Sequence, residues 1–174
     1  GKRLPANPTF EFQLHYQTNG TGTTDRPRLG IYFMERAPER ELKVTSALKM
    51  GLDIPPGERA YAASGKRQFH EDVLLYELSP HMHYRGRSMR FTATFPDGRE
   101  QILLSVPEYE FDWQMTYTLA QPLRLPAGTR VRCDAVFDNS ASNEHNPDPT
   151  KRVRWGKTSL DEMLIGYFVY AVDK

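Results

Sequence analysis

The residues best suited to chemistry lie in the tetrapeptide Pro80-His81-Met82-His83. Positions two apart in a β-strand point to the same face of the sheet, so His81 and His83 can present two imidazoles side by side. Met82 then points to the opposite face and is not expected to be a ligand with them. A metal site built on this pair needs a third ligand from elsewhere in the fold. The alternative is two polar residues on a solvated strand face.

Composition excludes several other functions. The chain has 174 residues, with 23 basic and 22 acidic side chains and a formal net charge of +1, which argues against binding to nucleic acid. A single cysteine cannot form an internal disulfide or a cysteine-based zinc site. No run approaches the roughly 20 apolar residues of a transmembrane helix, and the mean hydropathy is −0.65. Five histidines and six methionines remain as possible metal ligands.

Alternation of apolar and polar residues dominates the chain and predicts β-strands. The predicted strands are 10–16, 29–33, 42–47, 73–78, 89–95, 100–106, 131–137 and 164–172. Pro and Gly punctuate these runs where turns are needed. The best helical signal is the capping-box spacing of Ser159 and Glu162, which is enough for one turn. We therefore expect residues 1–174 to form one all-β domain, an antiparallel jelly-roll-like β-sandwich.

Three blocks of sequence, in this order, carry a family resemblance. They are His-Met-His-Tyr-Arg-Gly-Arg at 81–87, Pro-Leu-Arg-Leu-Pro-Ala-Gly at 122–128 and Trp-Gly-Lys-Thr-Ser-Leu-Asp-Glu-Met at 155–163. An apolar strand containing Tyr167 follows the third block. Together they resemble the C-terminal, M-site domain of the copper type II, ascorbate-dependent monooxygenases, the family of peptidylglycine α-hydroxylating and dopamine β-monooxygenases, in a bacterial-type form.

The resemblance implies a ligand set. His81, His83 and Met163 match the three ligands of the family's O2-activating copper, although Met163 alone would be interpreted as an ordinary core methionine. A thioether favours Cu(I), and imidazole suits both oxidation states. Tyr167 matches a substrate-contacting position of the peptide-hydroxylating branch. Ser79 replaces that branch's carboxylate-binding Arg, so peptidylglycine is not the expected substrate.

A second copper site is represented by one residue. Leu14-His15-Tyr16 resembles the motif whose His binds the family's electron-transfer copper. The other two ligands of that site are an adjacent His-His pair, and this sequence contains none. The resemblance thus makes His15 a remnant of the second site, and the alternative is an exposed histidine. We expect an upstream His-His copper domain or another redox module, with this chain as a domain excised from a larger multidomain redox protein.

Two further positions follow from the resemblance. Cys133 occupies a disulfide position of eukaryotic members, but Leu164 stands where its partner would be, so we expect a buried free thiol. The stretch 109–114 resembles segments of bacterial members. Within it, Gln114 and Trp113 are candidates to line the site, although Trp113 is more typical of a hydrophobic core.

The function implied by the resemblance is oxygen chemistry at copper. The domain would use O2 and a reductant, such as ascorbate or a redox module, to hydroxylate a C–H bond of an unknown organic substrate. An alternative is a copper-binding or electron-transfer module without hydroxylase activity. A further alternative is a metal-free jelly roll that binds carbohydrate or protein. The family also implies a periplasmic or extracellular location.

Overall fold

A computed structural model describes residues 1–14, 16 and 19–173. The strands are β1 Lys43–Leu48, β2 Asp53–Ile54, β3 Tyr61–Gln68, β4 Val73–His81, β5 Gly86–Thr94, β6 Glu100–Val106, β7 Tyr117–Leu125, β8 Arg130–Phe137, β9 Val153–Arg154 and β10 Ile165–Val172. No helix occurs among these described residues, which confirms the predicted all-β class. This part of the chain likewise holds no helix with the length and apolar character that crossing a membrane requires.

Eight strands form one antiparallel sheet in the order β6-β5-β8-β3-β1-β10-β4-β7, and β2 pairs with β9 separately. The large sheet curls on itself. Phe91 of β5 and Phe168 of β10 are four places apart in strand order, yet their ring centroids lie 5.7 Å apart. The two halves of the sheet therefore pack face to face, as in a β-sandwich.

The core follows from the alternation in the sequence. In β8, Val131, Cys133, Ala135 and Phe137 are buried, while Arg130 and Arg132 on the opposite face are exposed. Cys133 is a free cysteine inside this core, as expected. Its burial raises the pKa of the thiol well above the ordinary value, so the thiol stays protonated at neutral pH.

Gly166 lies at a close contact between the two halves of the sheet. A Cβ added at this residue of β10 would lie 2.4 Å from Cys133 Sγ and 2.7 Å from Phe91 Cε1. Both neighbours are fully buried and belong to the opposite half of the sheet. Only a residue without a side chain fits here, because protein interiors are close-packed.

We expect Gly166→Ala to lower the free energy of unfolding by about 1–3 kcal/mol, since the methyl group overpacks the core. Urea denaturation followed by tryptophan fluorescence measures this change. Gly22→Ala is the matched control, because its added Cβ would meet nothing within 4 Å. Equal stability of the two variants would show that the core has room at Gly166.

The first part of the chain departs from the prediction. The strands predicted at 10–16 and 29–33 are wrong, since none of the described residues before Lys43 lies in a strand. Phe10, Phe12 and Leu14 are exposed instead of packed in the core. Alternation by itself does not make a strand, because the backbone N–H and C=O groups also need a neighbouring strand.

Four observed strands were not predicted, namely the two-residue strands β2 and β9 and the longer strands β3 and β7. β3 contains mainly small and polar residues, which gives a weak apolar pattern, and β7 is interrupted by Pro122. β7 is an edge strand, where a residue that lacks an N–H donor is tolerated. It is β7 that flanks β4, the strand carrying the histidine pair.

Candidate metal centre

The histidine pair lies at the end of β4. Met82 is fully buried in the core on one side of the chain, and His81 and His83 lie on the other side. The two imidazole rings have centroids 5.2 Å apart and planes at 84°. The predicted geometry of two imidazoles side by side is therefore present. The His pair is not on a fully solvated face, because His83 is only 3 % exposed.

Strand β10 brings Met163 to the same place. Ile165 pairs with His81 in the antiparallel register of β10 and β4. Met163 lies two residues before Ile165 and lines the same cavity as His81 and His83. The thioether is thus delivered from a segment 80 residues further along the chain, which no local pattern could indicate.

A buried carboxylate holds the two segments together beyond the end of their strand pairing. Glu162 accepts hydrogen bonds from the backbone N–H groups of His83 at 2.9 Å, Arg85 at 2.7 Å and Met163 at 3.2 Å. Burial raises the pKa of Glu162 to about 7, and the three backbone donors and the charge of Arg85 oppose that shift. The capping-box signal at 159–162 gives only a turn at residues 159 and 160, and the Glu162 side chain accepts from the histidine segment and not from Ser159.

Hydrogen bonds fix the proton on each imidazole. His83 Nδ1 lies 3.1 Å from the backbone oxygen of Asp161, which only accepts, so Nδ1–H is the donor. His81 Nδ1 lies 2.6 Å from Gln114 Oε1. Gln114 Nε2 donates to the carbonyl of Phe111, so the amide oxygen faces His81. Both Nδ1 atoms therefore carry the proton, and the lone pair of each ring is on Nε2, as in many metal-binding histidines.

The loop between β9 and β10 positions three of these groups. The backbone N–H of Glu162 donates to Arg154 O at 3.0 Å, and Gly156 N–H donates to Glu162 O at 3.2 Å. A Cβ at Gly156 would lie 2.1 Å from Asp161 Oδ2, so this close approach requires glycine. The loop thereby holds the Asp161 carbonyl, the Glu162 carboxylate and Met163 as one ordered unit.

The candidate ligands line a cavity of about 470 Å³. The residues that line it are Gln13, His81, His83, Phe111, Gln114, Lys157, Ser159, Met163, Ile165 and Tyr167. The ring centroid of Tyr167 is 6.4 Å from that of His81. The structure thus brings His81, His83, Met163 and Tyr167 to one place. His15 lies outside the described residues.

The two candidate residues in the loop between β6 and β7, Gln114 and Trp113, have different surroundings. Gln114 lines the cavity, as the sequence suggested, and its hydrogen bond to His81 is the unexpected part. Trp113 was expected in the core and is 69 % exposed, so that expectation is wrong. It lies in the loop between β6 and β7, where no strand periodicity directs its side chain inward.

The donor chemistry of the cluster suits a soft metal ion. Among the described residues, no group of three or more His, Cys, Asp or Glu side chains could hold a metal. A three-ligand site on this His pair therefore depends on the Met163 thioether. Two imidazoles and one thioether suit copper, and the sulfur favours Cu(I). The supporting roles of Asp161 and Glu162 were missed from sequence, although their position next to Met163 was the available signal.

Two comparisons with known proteins found no relative of this chain. No protein-family model matches the chain, and no curated protein matches it. The relation to the copper monooxygenases accordingly stays a prediction from the three sequence blocks.

Proposed function

We propose that this chain is a copper-binding domain that serves in the O2-dependent hydroxylation of a C–H bond, with His81, His83 and Met163 as ligands. The observation that supports it is the convergence of two Nδ1-anchored imidazoles and a thioether on one cavity. When bound, copper would supply the one-electron and oxygen chemistry, with ascorbate or a redox module as the electron source.

The chain's own residues prepare the site. Gln114 and the Asp161 carbonyl orient the imidazoles and keep their protons on Nδ1, which raises the basicity of Nε2. Glu162 keeps the His83 and Met163 segments in register. Tyr167 and Ile165 form part of the wall against which an organic substrate would pack.

The alternative of an electron-transfer module uses the same ligands. The cavity favours the hydroxylase, because its volume lies in the range that encloses a small organic molecule. An electron-transfer site needs no such space beside the metal.

Titration with Cu(I) under anaerobic, reducing conditions tests the proposal. In competition with a chromophoric chelator, the chain should bind one equivalent. Exposure to O2 should then yield a Cu(II) electron paramagnetic resonance signal with nitrogen hyperfine structure. Failure to form the one-to-one complex would contradict the proposal. Acceleration of ascorbate-dependent O2 uptake by an organic substrate would separate a hydroxylase from an electron-transfer module.

Gln114→Leu should weaken Cu(I) binding by about 10- to 100-fold, because the His81 ring loses the acceptor that orients it. Competition titration measures the affinity, and urea denaturation checks that the fold is intact. Gln101→Leu is the matched control, since Gln101 is exposed on β6. Equal Cu(I) affinities of the two variants would remove Gln114 from the site.

A further inference from the structure

The charge around the candidate cavity is one-sided. Lys157 is the one Lys or Arg among the described residues that line it, and no Asp or Glu borders it in that part of the chain. Lys157 is exposed at the cavity, and it takes part in no salt bridge among the described residues. An ammonium group in such a position attracts an anion.

Three basic side chains near Lys157 in sequence, unlike Lys157, form salt bridges. Lys151 lies 3.4 Å from Asp148, and Arg152 and Arg154 lie 2.9 and 3.3 Å from Asp53. These cations on the flank of the same loop region are matched by carboxylates of the chain. Of the four basic residues between 151 and 157, the one without a salt bridge among the described residues is Lys157, which borders the cavity.

The rest of the wall is largely apolar. Phe111, Ile165 and Tyr167 line the cavity together with the thioether of Met163. Phe111 is held by aromatic contacts, with its ring 4.4 Å from Tyr84 and 6.1 Å from His83 between centroids. Rigid aromatic walls favour an aryl or alkyl group, because burying it removes apolar surface from water.

We infer that this cavity binds amphipathic organic anions, with the carboxylate at Lys157 and the apolar part between Phe111 and Tyr167. Ser159, two residues along the chain from Lys157, also lines the cavity and offers a hydroxyl donor. The inference rests on the proposed function in one respect, namely that such an anion would be the substrate class. The carbon to be hydroxylated would then lie in the apolar part, beside the candidate ligands.

Isothermal titration of the chain, before copper is added, tests this inference with three matched probes. They are 4-phenylbutyrate, its neutral amide and 4-phenylbutylamine. The carboxylate should bind at least about tenfold more tightly than the amide, since one charged hydrogen bond contributes that much. The amine should bind most weakly.

Variants of two lysines test whether Lys157 causes the preference for the carboxylate over the amide. Lys157→Gln should abolish the difference between carboxylate and amide, and Lys157→Arg should retain it. Lys151→Gln, which removes a lysine outside the cavity, should behave as the parent chain. Absence of saturable 4-phenylbutyrate binding, equal affinity for all three probes, or an unchanged preference in Lys157→Gln would each overturn the inference.

Cu(I) titration of the same samples separates the two proposals. One-to-one Cu(I) binding without a carboxylate preference would overturn the anion inference alone. A Lys157-dependent carboxylate preference without Cu(I) binding would support the anion inference and contradict the proposed function.

Discussion

Glu162→Ala is expected to lower the free energy of unfolding by about 3–5 kcal/mol, because each buried donor left without an acceptor costs about 1–3 kcal/mol. The substitution leaves the backbone N–H groups of His83, Arg85 and Met163 without their acceptor inside the protein. It also removes a nearby negative charge that favours the protonated form of Arg85, which is 2 % exposed. Urea denaturation measures the loss.

Two variants complete this experiment. Glu162→Gln keeps one acceptor oxygen and should cost about 1–3 kcal/mol, so it remains measurable if the alanine variant does not fold. Glu144→Ala removes an exposed carboxylate of the loop before β9 and should stay within about 0.5 kcal/mol of the parent. A Glu162→Gln variant as stable as Glu144→Ala would show that the carboxylate does not hold the site together.

His81→Ala should reduce Cu(I) affinity by at least about 100-fold, which exceeds the effect of losing one supporting hydrogen bond. The reason is that the remaining imidazole and thioether form only a two-ligand site. Met163→Leu should weaken binding at least about tenfold and abolish the copper–sulfur signal in X-ray absorption, because leucine keeps the volume and removes the donor. Competition titration measures both affinities.

The controls use the same residue types outside the cavity lining. His70→Ala and Met34→Leu replace exposed residues and should bind Cu(I) as the parent chain does. If His81→Ala and Met163→Leu also bind as the parent does, these residues are not the ligands. Equal losses in the control variants would instead point to a general effect on folding.

Alternation of apolar and polar residues predicted strands correctly wherever a neighbouring strand was also present to pair with them. The predicted strand 100–106 coincides with β6, and the predictions at 131–137 and 164–172 differ from β8 and β10 by one residue at the start. The same pattern failed at 10–16, where the described residues pair with no neighbouring strand. β7 was missed because Pro122 interrupts its sequence pattern, which is tolerated in an edge strand that pairs with β4.

By itself, the sequence determined the all-β class and the placement of His81 and His83 on one side of the chain at the end of β4, because a period of two is a local property of the backbone. It also singled out Met163 through a family resemblance. Only the tertiary structure decided that Met163 lines the same cavity as the His pair and that Lys157 borders this cavity without a salt bridge among the described residues. It also decided that Gln114 and the Asp161 carbonyl keep the imidazole protons on Nδ1. These depend on strand register and loop closure between segments far apart in the chain, which no local pattern encodes.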